Sequence, residues 1–359
     1  TVDQEIEAAR IVICNGIYRD DLSDTALLPP SVRVKSLDEA ISVHEDLVQP
    51  HFNHEFEEAD RALFALNTHF FSDGIFIEIP DDTFIKHPIE ILTVTVGDND
   101  HITPAHPRHM ILVGKNSEAT IVEHLSGSHH YLNNIAYDIT VGENSRLHHY
   151  RWQDEGKSGG YEIATTHLEV KENGYYDGFT LTTGSPLSRN EIHARISGKD
   201  GVCRLNGAYL LNEKQHSDTT IIVHHEKENG ASNQAFKGLL DGKSRKVFQG
   251  KIFVHEGAQK TDGYQLNNAI LLSPTAEVDV KPELEIYADD VKCSHGATTG
   301  QLEDEGLFYL QSRGIPEAKA RRLLMKAFIG EVLEEIESES TRDLFRSLTD
   351  QWIDQSQST

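Results

Sequence analysis

The chain has 359 residues, room for two or three domains or for one long solenoid with helical ends, and a formal net charge of −25. That charge repels nucleic acid and anionic membrane surfaces and discounts both as partners. Three cysteines, Cys14, Cys203 and Cys293, are too few for a disulfide framework and fit a reducing compartment; no apolar run reaches the ~18 residues of a membrane span, and the start at Thr1 does not read as a signal peptide.

Asn15-Gly16 stands between Ile11-Val12-Ile13-Cys14 and Ile17-Tyr18, a strong hairpin signal. It places Cys14 in a strand, as a buried thiol rather than a ligand. Ser36-Leu37-Asp38-Glu39 reads as a capping box opening a helix to about Val48, stopped by Pro50. A second helix is expected over about 55–70, with Ala59, Ala62, Leu63, Leu66 and Phe70 on a core-facing stripe. Hairpin and helices form an N-terminal segment, residues 1–72.

From residue 73 the texture becomes β. Phe76, Ile77 and Ile79, then Ile89, Ile91, Val94 and Val96, are β-prone runs broken by Pro80, Pro88 and Gly97. His101, His106 and His109 fall in a Pro-containing loop, where no Cys or carboxylate keeps close ligand spacing. A ladder of turn triplets follows. Their central residues, Asn116, Asn144, Asn173, Asp200 and Asn229, step by 28, 29, 27 and 29, and Glu256-Gly257 extends the series. Midway lie Gly127-Ser128, Ser158-Gly159, Gly184-Ser185, Glu213-Lys214, Asp241-Gly242 and Ser273-Pro274. A fixed period is the mark of stacked units, here two strands and two corners each. Spacing alone leaves a β-solenoid and an antiparallel meander equally open.

Several chemical motifs fail on geometry. His148-His149 and His224-His225 are strand neighbours, so each pair points to opposite faces and does not chelate locally. The P-loop-like run 238–244 is one residue short and leads into a strand pattern rather than the required helix. Cys203, just past a corner, reads as a core thiol.

Residues 277–286 alternate Val278, Val280, Leu284 and Ile286 with charged residues, a strand with one buried face; Pro282 assigns it to an edge or a bulge. After Asp289-Asp290 an extended run, 291–295, is expected to close at Gly296. In it Cys293 and His295 are two apart, on one face, with Cα atoms ~6.6 Å apart. Thiolate and imidazole make a soft-to-borderline donor pair, but half a site, since iron–sulfur clusters and structural zinc take about four protein ligands. On spacing alone such a pair is an ordinary strand feature. The β core is expected to end at residue 300. A C-terminal helical unit, 301–359, follows: a helix over Glu303–Ser312, a left-handed stop at Gly314, Pro316 in the first turn of the next helix, and that helix running to about Glu337. Its apolar residues cover more than one stripe and call for cover on two sides. Its basic start and acidic end run against the helix dipole, a placement attributed to a solvated face.

The run KPELEIYADDVKCSHGATTGQL, with YLQSRGI downstream and FVHEGAQKTDGYQLNNAILLS upstream, resembles the SufD subunits of the SufBCD iron–sulfur cluster assembly machinery, in the SufB/SufD family. The resemblance covers about residues 60–335 and is most specific over 277–315. It implies a mainly β fold, a right-handed parallel β-helix over 73–300 with helical segments at both ends, and an N-terminal helical region largely absent here. It implies a non-catalytic scaffold that pairs with a SufB-like subunit and with a SufC-like ATPase, the latter through the C-terminal helices. Cys293 and His295 are then the expected metal and cofactor-binding residues, holding iron or a nascent Fe–S cluster transiently, with other ligands from the partner subunit. A homodimer through the last strands is a further expectation. Bacterial cytoplasm and plastid stroma both fit. A SufB-type paralogue, or a polysaccharide lyase on a β-helix, is the alternative; the chain has no cysteine-rich SufB-like motif and no recurring acidic column for calcium.

Overall fold

The computed structural model describes residues 7–52, 62–154 and 159–356. From Arg108–Val113 onward, consecutive strands fall in different sheets, and strands two apart in sequence pair in parallel. Arg146–Asp154 pairs with Tyr175–Thr182, for example, and Tyr161–Val170 with Leu187–Ile196. A meander would pair consecutive strands antiparallel, so this register decides for the solenoid: two facing ten-stranded sheets wound in about seven turns. The antiparallel pairs are the hairpin Ala9–Cys14 with Ile17–Tyr18, and Arg33–Ser36 with Ile75–Ile79. The hairpin turn has Asn15 at φ 50° and Gly16 at φ 81°, the geometry that favours Asn-Gly. Ala9–Cys14 also continues the first sheet by pairing in parallel with Ile89–Val96.

The corners explain the period. Asn116, Asn144, Asn173, Asp200 and Asn229 all take left-handed backbone (φ 52–60°), which Asn and Asp tolerate best among non-glycine residues. Each donates its N–H to a carbonyl of the next corner, at 2.9–3.2 Å. The amides of Asn116, Asn144 and Asn173 also stack, each donating Nδ2 to the Oδ1 one rung back. The sixth corner departs from the expected series. Its left-handed residue is Lys260, 31 beyond Asn229, because Glu256 and Gly257 form an additional turn ahead of it.

Between the sheets lies a core of Ile, Leu, Val and Tyr running the length of the solenoid. It encloses a buried ionic network. Glu123 accepts from Arg151 Nε at 2.9 Å and from the Tyr137 hydroxyl at 2.8 Å, and His149 lies 3.4 Å from it. At the N-terminal end, buried Arg108 pairs with Asp138 at 2.7 Å and lies over the rings of Phe52 and Phe64, fastening the N-terminal helices to the second sheet.

The N-terminal helices differ from expectation in detail. Ser36 caps the N–H of Glu39 as predicted, but the helix breaks at His44 (φ −127°) into Leu37–Val43 and Glu45–Val48. The last α-helical residue is Val48, as expected, and Pro50 follows in a short 3-10 turn, Gln49–Phe52, where its missing N–H is not needed. Of the second helix, Ala62–Phe70 is observed, and the expected start at 55–61 lies outside the described residues. The expected core stripe is not the buried face: Ala62, Leu66 and Phe70 are exposed, Leu63 is half-buried, and Phe64 and Asn67 are the residues that turn inward.

The C-terminal helices are Asp304–Ser312, Glu317–Leu333 and Glu339–Ser356. Gly314 has φ 83° as expected, and Pro316 is the cap of the second helix rather than a member of its first turn. That helix ends at Leu333, four residues early. Met325, Ile329 and Val332 pack on Phe179, Leu181, Leu210 and Leu239 of the first sheet's outer face, and on Phe345 of the last helix. Sheet and last helix are the two covers that the broad apolar face demanded.

Candidate metal-handling rim

Both sheets end at the same place. Glu277–Ile286 is the last strand of the second sheet and Lys292–Gly300 the last of the first; each is paired on one side only. Pro282 thus sits on an edge strand, where its missing N–H costs no ladder bond. The final strand does not close at Gly296 but runs on to Gly300, because its partner Asp262–Leu271 continues to offer pairing groups. The two edges differ in chemistry. Glu277–Ile286 carries Glu277, Asp279, Lys281, Glu283 and Glu285, charges that discourage further strand addition. Lys292–Gly300 carries Ser, Thr, Gly and Ala beside Lys292, Cys293 and His295, an edge left open to pairing.

Cys293 and His295 sit on this rim and face into the end of the solenoid. Cys293 lies in register with Gly263 and Ser232 of the rungs before it, and beyond them with buried Cys203. It packs beside Ile252, Val254 and Ala288 and is partly buried. A Cβ on Gly263 would lie 3.3 Å from the Cys293 sulfur, so the glycine makes room for it. His295 lies in register with buried Gln265 and is itself exposed. Burial, opposed by a hydrogen bond from the Gly263 backbone, raises the Cys293 thiol above its ordinary range, so any metal ion bound there would have to displace a proton. The one group of three or more metal-donor side chains among the described residues lies elsewhere, which leaves the rim with its pair of donors.

The other sequence candidates separate. Cys203 is buried in the core, its thiol pushed far up by burial. Cys14 is partly buried in its strand rather than fully. His109 lies not in a loop but in the strand Arg108–Val113, fully buried, accepting from the Ile75 N–H at 3.1 Å; burial lowers it to about 4. His101 is exposed, and His106 stands beside Phe70. The segment 238–244 leads into the strand Arg245–Val254, which excludes a phosphate loop. His225 points inward to Ser232 and His224 outward to His255. His149 likewise points into the core, and His148 outward.

The outward course of His148 exposes what spacing within one strand did not reveal. His148, Asp177 and Arg204 occupy one column on three adjacent strands, one rung apart. The turn after the second C-terminal helix meets that column: Arg204 is ion-paired with Glu335 and Glu337, and Tyr175 donates to Glu337. Lys237 pairs with Glu331 in the same way. The acidic end of that helix is therefore not a plain solvated face; its charges fasten it to basic residues of the sheet. Stepping one period from His148 to Asp177 would have found the column.

Comparison with known proteins places the chain in a family. A family model of the SufBD core domain of the SUF iron–sulfur cluster assembly system matches residues 94–328, and one of the SufBD N-terminal region matches 3–91. The chain is 34% identical over 345 residues to a Synechocystis iron–sulfur cluster assembly SufBD family protein, covering 92% of this chain and 75% of that one. It is 34% identical over 259 residues to Escherichia coli iron–sulfur cluster assembly protein SufD, covering 71% of this chain and 61% of that protein. To the chloroplastic protein ABCI7 of Arabidopsis thaliana it is 33% identical over 285 residues, 77% of this chain and 59% of the relative. The chain therefore spans about three fifths to three quarters of these relatives, and it belongs to the SufBD family of iron–sulfur cluster assembly proteins.

Proposed function

We propose that the chain is a SufD-type scaffold subunit without catalytic activity of its own, which pairs with a SufB-like subunit at the open rim and helps acquire iron or hold a nascent cluster there. The observation that carries this reading is the rim itself: a terminal edge strand, with Lys292 at its start and no acidic residue, that offers one thiol and one imidazole. Two donors suit iron or an Fe–S cluster only when a partner supplies the rest. The cargo is a substrate of the assembly, shared between subunits.

ATP hydrolysis belongs to a SufC-like partner docking on the C-terminal helices. Phe308 (74% exposed), Tyr309 and Leu323 support that placement, standing out on helices whose other apolar residues are mostly covered. The same rim edge suits a homodimer when no SufB-like partner is present. No described helix is long and apolar enough to cross a membrane; bacterial cytoplasm or plastid stroma is the proposed location. Co-purification with a SufC-like ATPase tests the partner assignment. Phe308→Asp with Leu323→Asp, both solvent-facing, should abolish recovery of the ATPase while leaving the far-ultraviolet spectrum unchanged. Undiminished recovery would move the docking surface elsewhere.

A further inference from the structure

His148, Asp177 and Glu337 come from two strands and a helix–helix turn, yet one donor atom of each lies within 4.8 Å of the others. His148 Nδ1 is 3.3 Å from Asp177 Oδ2 and 4.0 Å from Glu337 Oε2. Ligands ~2.0–2.2 Å from a zinc-sized ion in tetrahedral array stand about 3.3–3.6 Å apart, so little movement is needed to close on one.

The carboxylates are divided between two tasks. Arg204 Nη1 stands beside the other oxygens, Asp177 Oδ1 at 3.9 Å and Glu337 Oε1 at 3.1 Å, and Tyr175 also donates to Glu337 Oε1. Oδ2 and Oε2 are left facing His148. Tyr150 donates to Asp177 Oδ2 at 2.6 Å and uses only one of its lone pairs. Outer donors that orient ligating carboxylates in this way are the usual support of a metal site. The charge balance agrees. Asp177, Glu335 and Glu337 bring three negative charges against the single Arg204 guanidinium, and Asp177 is only 1% exposed. Burial and Asp177 raise the Tyr150 hydroxyl well above its ordinary value, and burial and Glu337 raise that of Tyr175, so both remain neutral donors. The cluster is left with a net negative charge that a bound cation would offset.

We propose that His148, Asp177 and Glu337 bind a first-row divalent transition-metal ion of the zinc or iron(II) class, which clamps the C-terminal helices to the solenoid. One imidazole and two carboxylates form a borderline-to-hard donor set that suits such ions and leaves a position for water. This site is separate from the rim; it faces the helices, and its ligands come from other rungs.

The test uses the full chain, stripped with chelator, carrying Cys293→Ala and His295→Ala so that the rim contributes nothing. Zinc is titrated by calorimetry while Tm is followed. With 20 histidines in the chain, site-specific variants decide the outcome. The expected result is one site per chain, occupancy raising Tm, and affinity falling about tenfold or more in Glu337→Gln and in Asp177→Asn. Glu337 is partly exposed, so Glu337→Gln should keep the fold, checked by circular dichroism; exposed His101→Ala should leave the isotherm unchanged. No zinc bound at micromolar concentration, or an isotherm the same in Glu337→Gln and His148→Asn as in the parent, would overturn the proposal and reduce the cluster to an ion-paired latch.

Discussion

Arg151→Met should cost the solenoid about 3–4 kcal/mol at neutral pH. Arg151 is the charge that keeps Glu123 ionised inside the core. Burial pushes the Glu123 carboxyl up, but the Arg151 charge and the His149 hydrogen bond outweigh it and hold the group at about 2 against an ordinary 4.5. That difference corresponds to about 3 kcal/mol of preference for the charged form in the folded chain, in line with the ~3–5 kcal/mol cost of stranding one member of a buried pair. The sign follows from linkage. A depressed carboxyl stabilises the fold fully above pH 4.5, and the contribution is lost as pH falls toward 2. In the variant, Glu123 loses its main counter-charge and takes up a proton more readily, so the deficit should shrink between pH 7 and 4. Urea unfolding followed by far-ultraviolet dichroism measures both effects. Glu123→Gln combined with Arg151→Met should recover part of the loss, because Glu123 is then no longer a stranded charge, while buried Glu162, 3.3 Å from Arg151 Nη2, still loses that partner. A single variant within about 1 kcal/mol of the parent at pH 7, or a double variant no better than the single, would refute the reasoning.

Four further outcomes are expected. Gly263→Ala should cost about 1–3 kcal/mol, read by urea unfolding, because its Cβ would meet the Cys293 sulfur at 3.3 Å and Ile252 at 3.1 Å. Alkylation followed by mass spectrometry should label Cys293 in the native chain, slowly at pH 7 and faster as pH rises, since its thiol is raised by burial; Cys203 should react only after unfolding. Asn144→Ala, which breaks two links of the amide stack, should lower stability by about 1–2 kcal/mol in the same unfolding assay. Lys246 is buried, donates to Ser217 and Thr219, and is lowered by burial to about 7. The unfolded chain binds the proton that the folded chain releases, so wild-type stability should gain between pH 7 and 10 relative to Lys246→Met, which should lack that slope.

The solenoid was legible because its corners must solve the same steric problem at every turn. A left-handed residue is needed once per rung, Asn and Asp supply it cheaply, and the 27–29-residue step among Asn116, Asn144, Asn173, Asp200 and Asn229 records it. The choice between solenoid and meander was not legible in spacing, because both place a turn after each strand; pairing register decides it. Lys260 was missed because an inserted turn, Glu256-Gly257, looked more like a corner than a lysine does. The rim pair was visible through Cys293 and His295 at alternate positions of one strand. The column of His148, Asp177 and Arg204 was not, since its members are neighbours only across rungs, and Glu337 arrives from a helix turn more than 130 residues beyond Arg204. The acidic end of the second C-terminal helix looked like a solvated face for the same reason: Arg204 and Lys237 are remote in sequence.

The central claim is that the rim handles iron only when a partner completes its donor set. Iron and acid-labile sulfide bound after anaerobic reconstitution test it most directly, measured on the chain alone and on its co-purified complex with SufB-like and SufC-like partners. Each sample is compared with Cys293→Ala/His295→Ala. The account predicts no cluster on the isolated chain, a cluster on the complex, and a loss of about tenfold or more in the double variant. A full cluster on the isolated chain, or undiminished loading of the complex without Cys293 and His295, would contradict it.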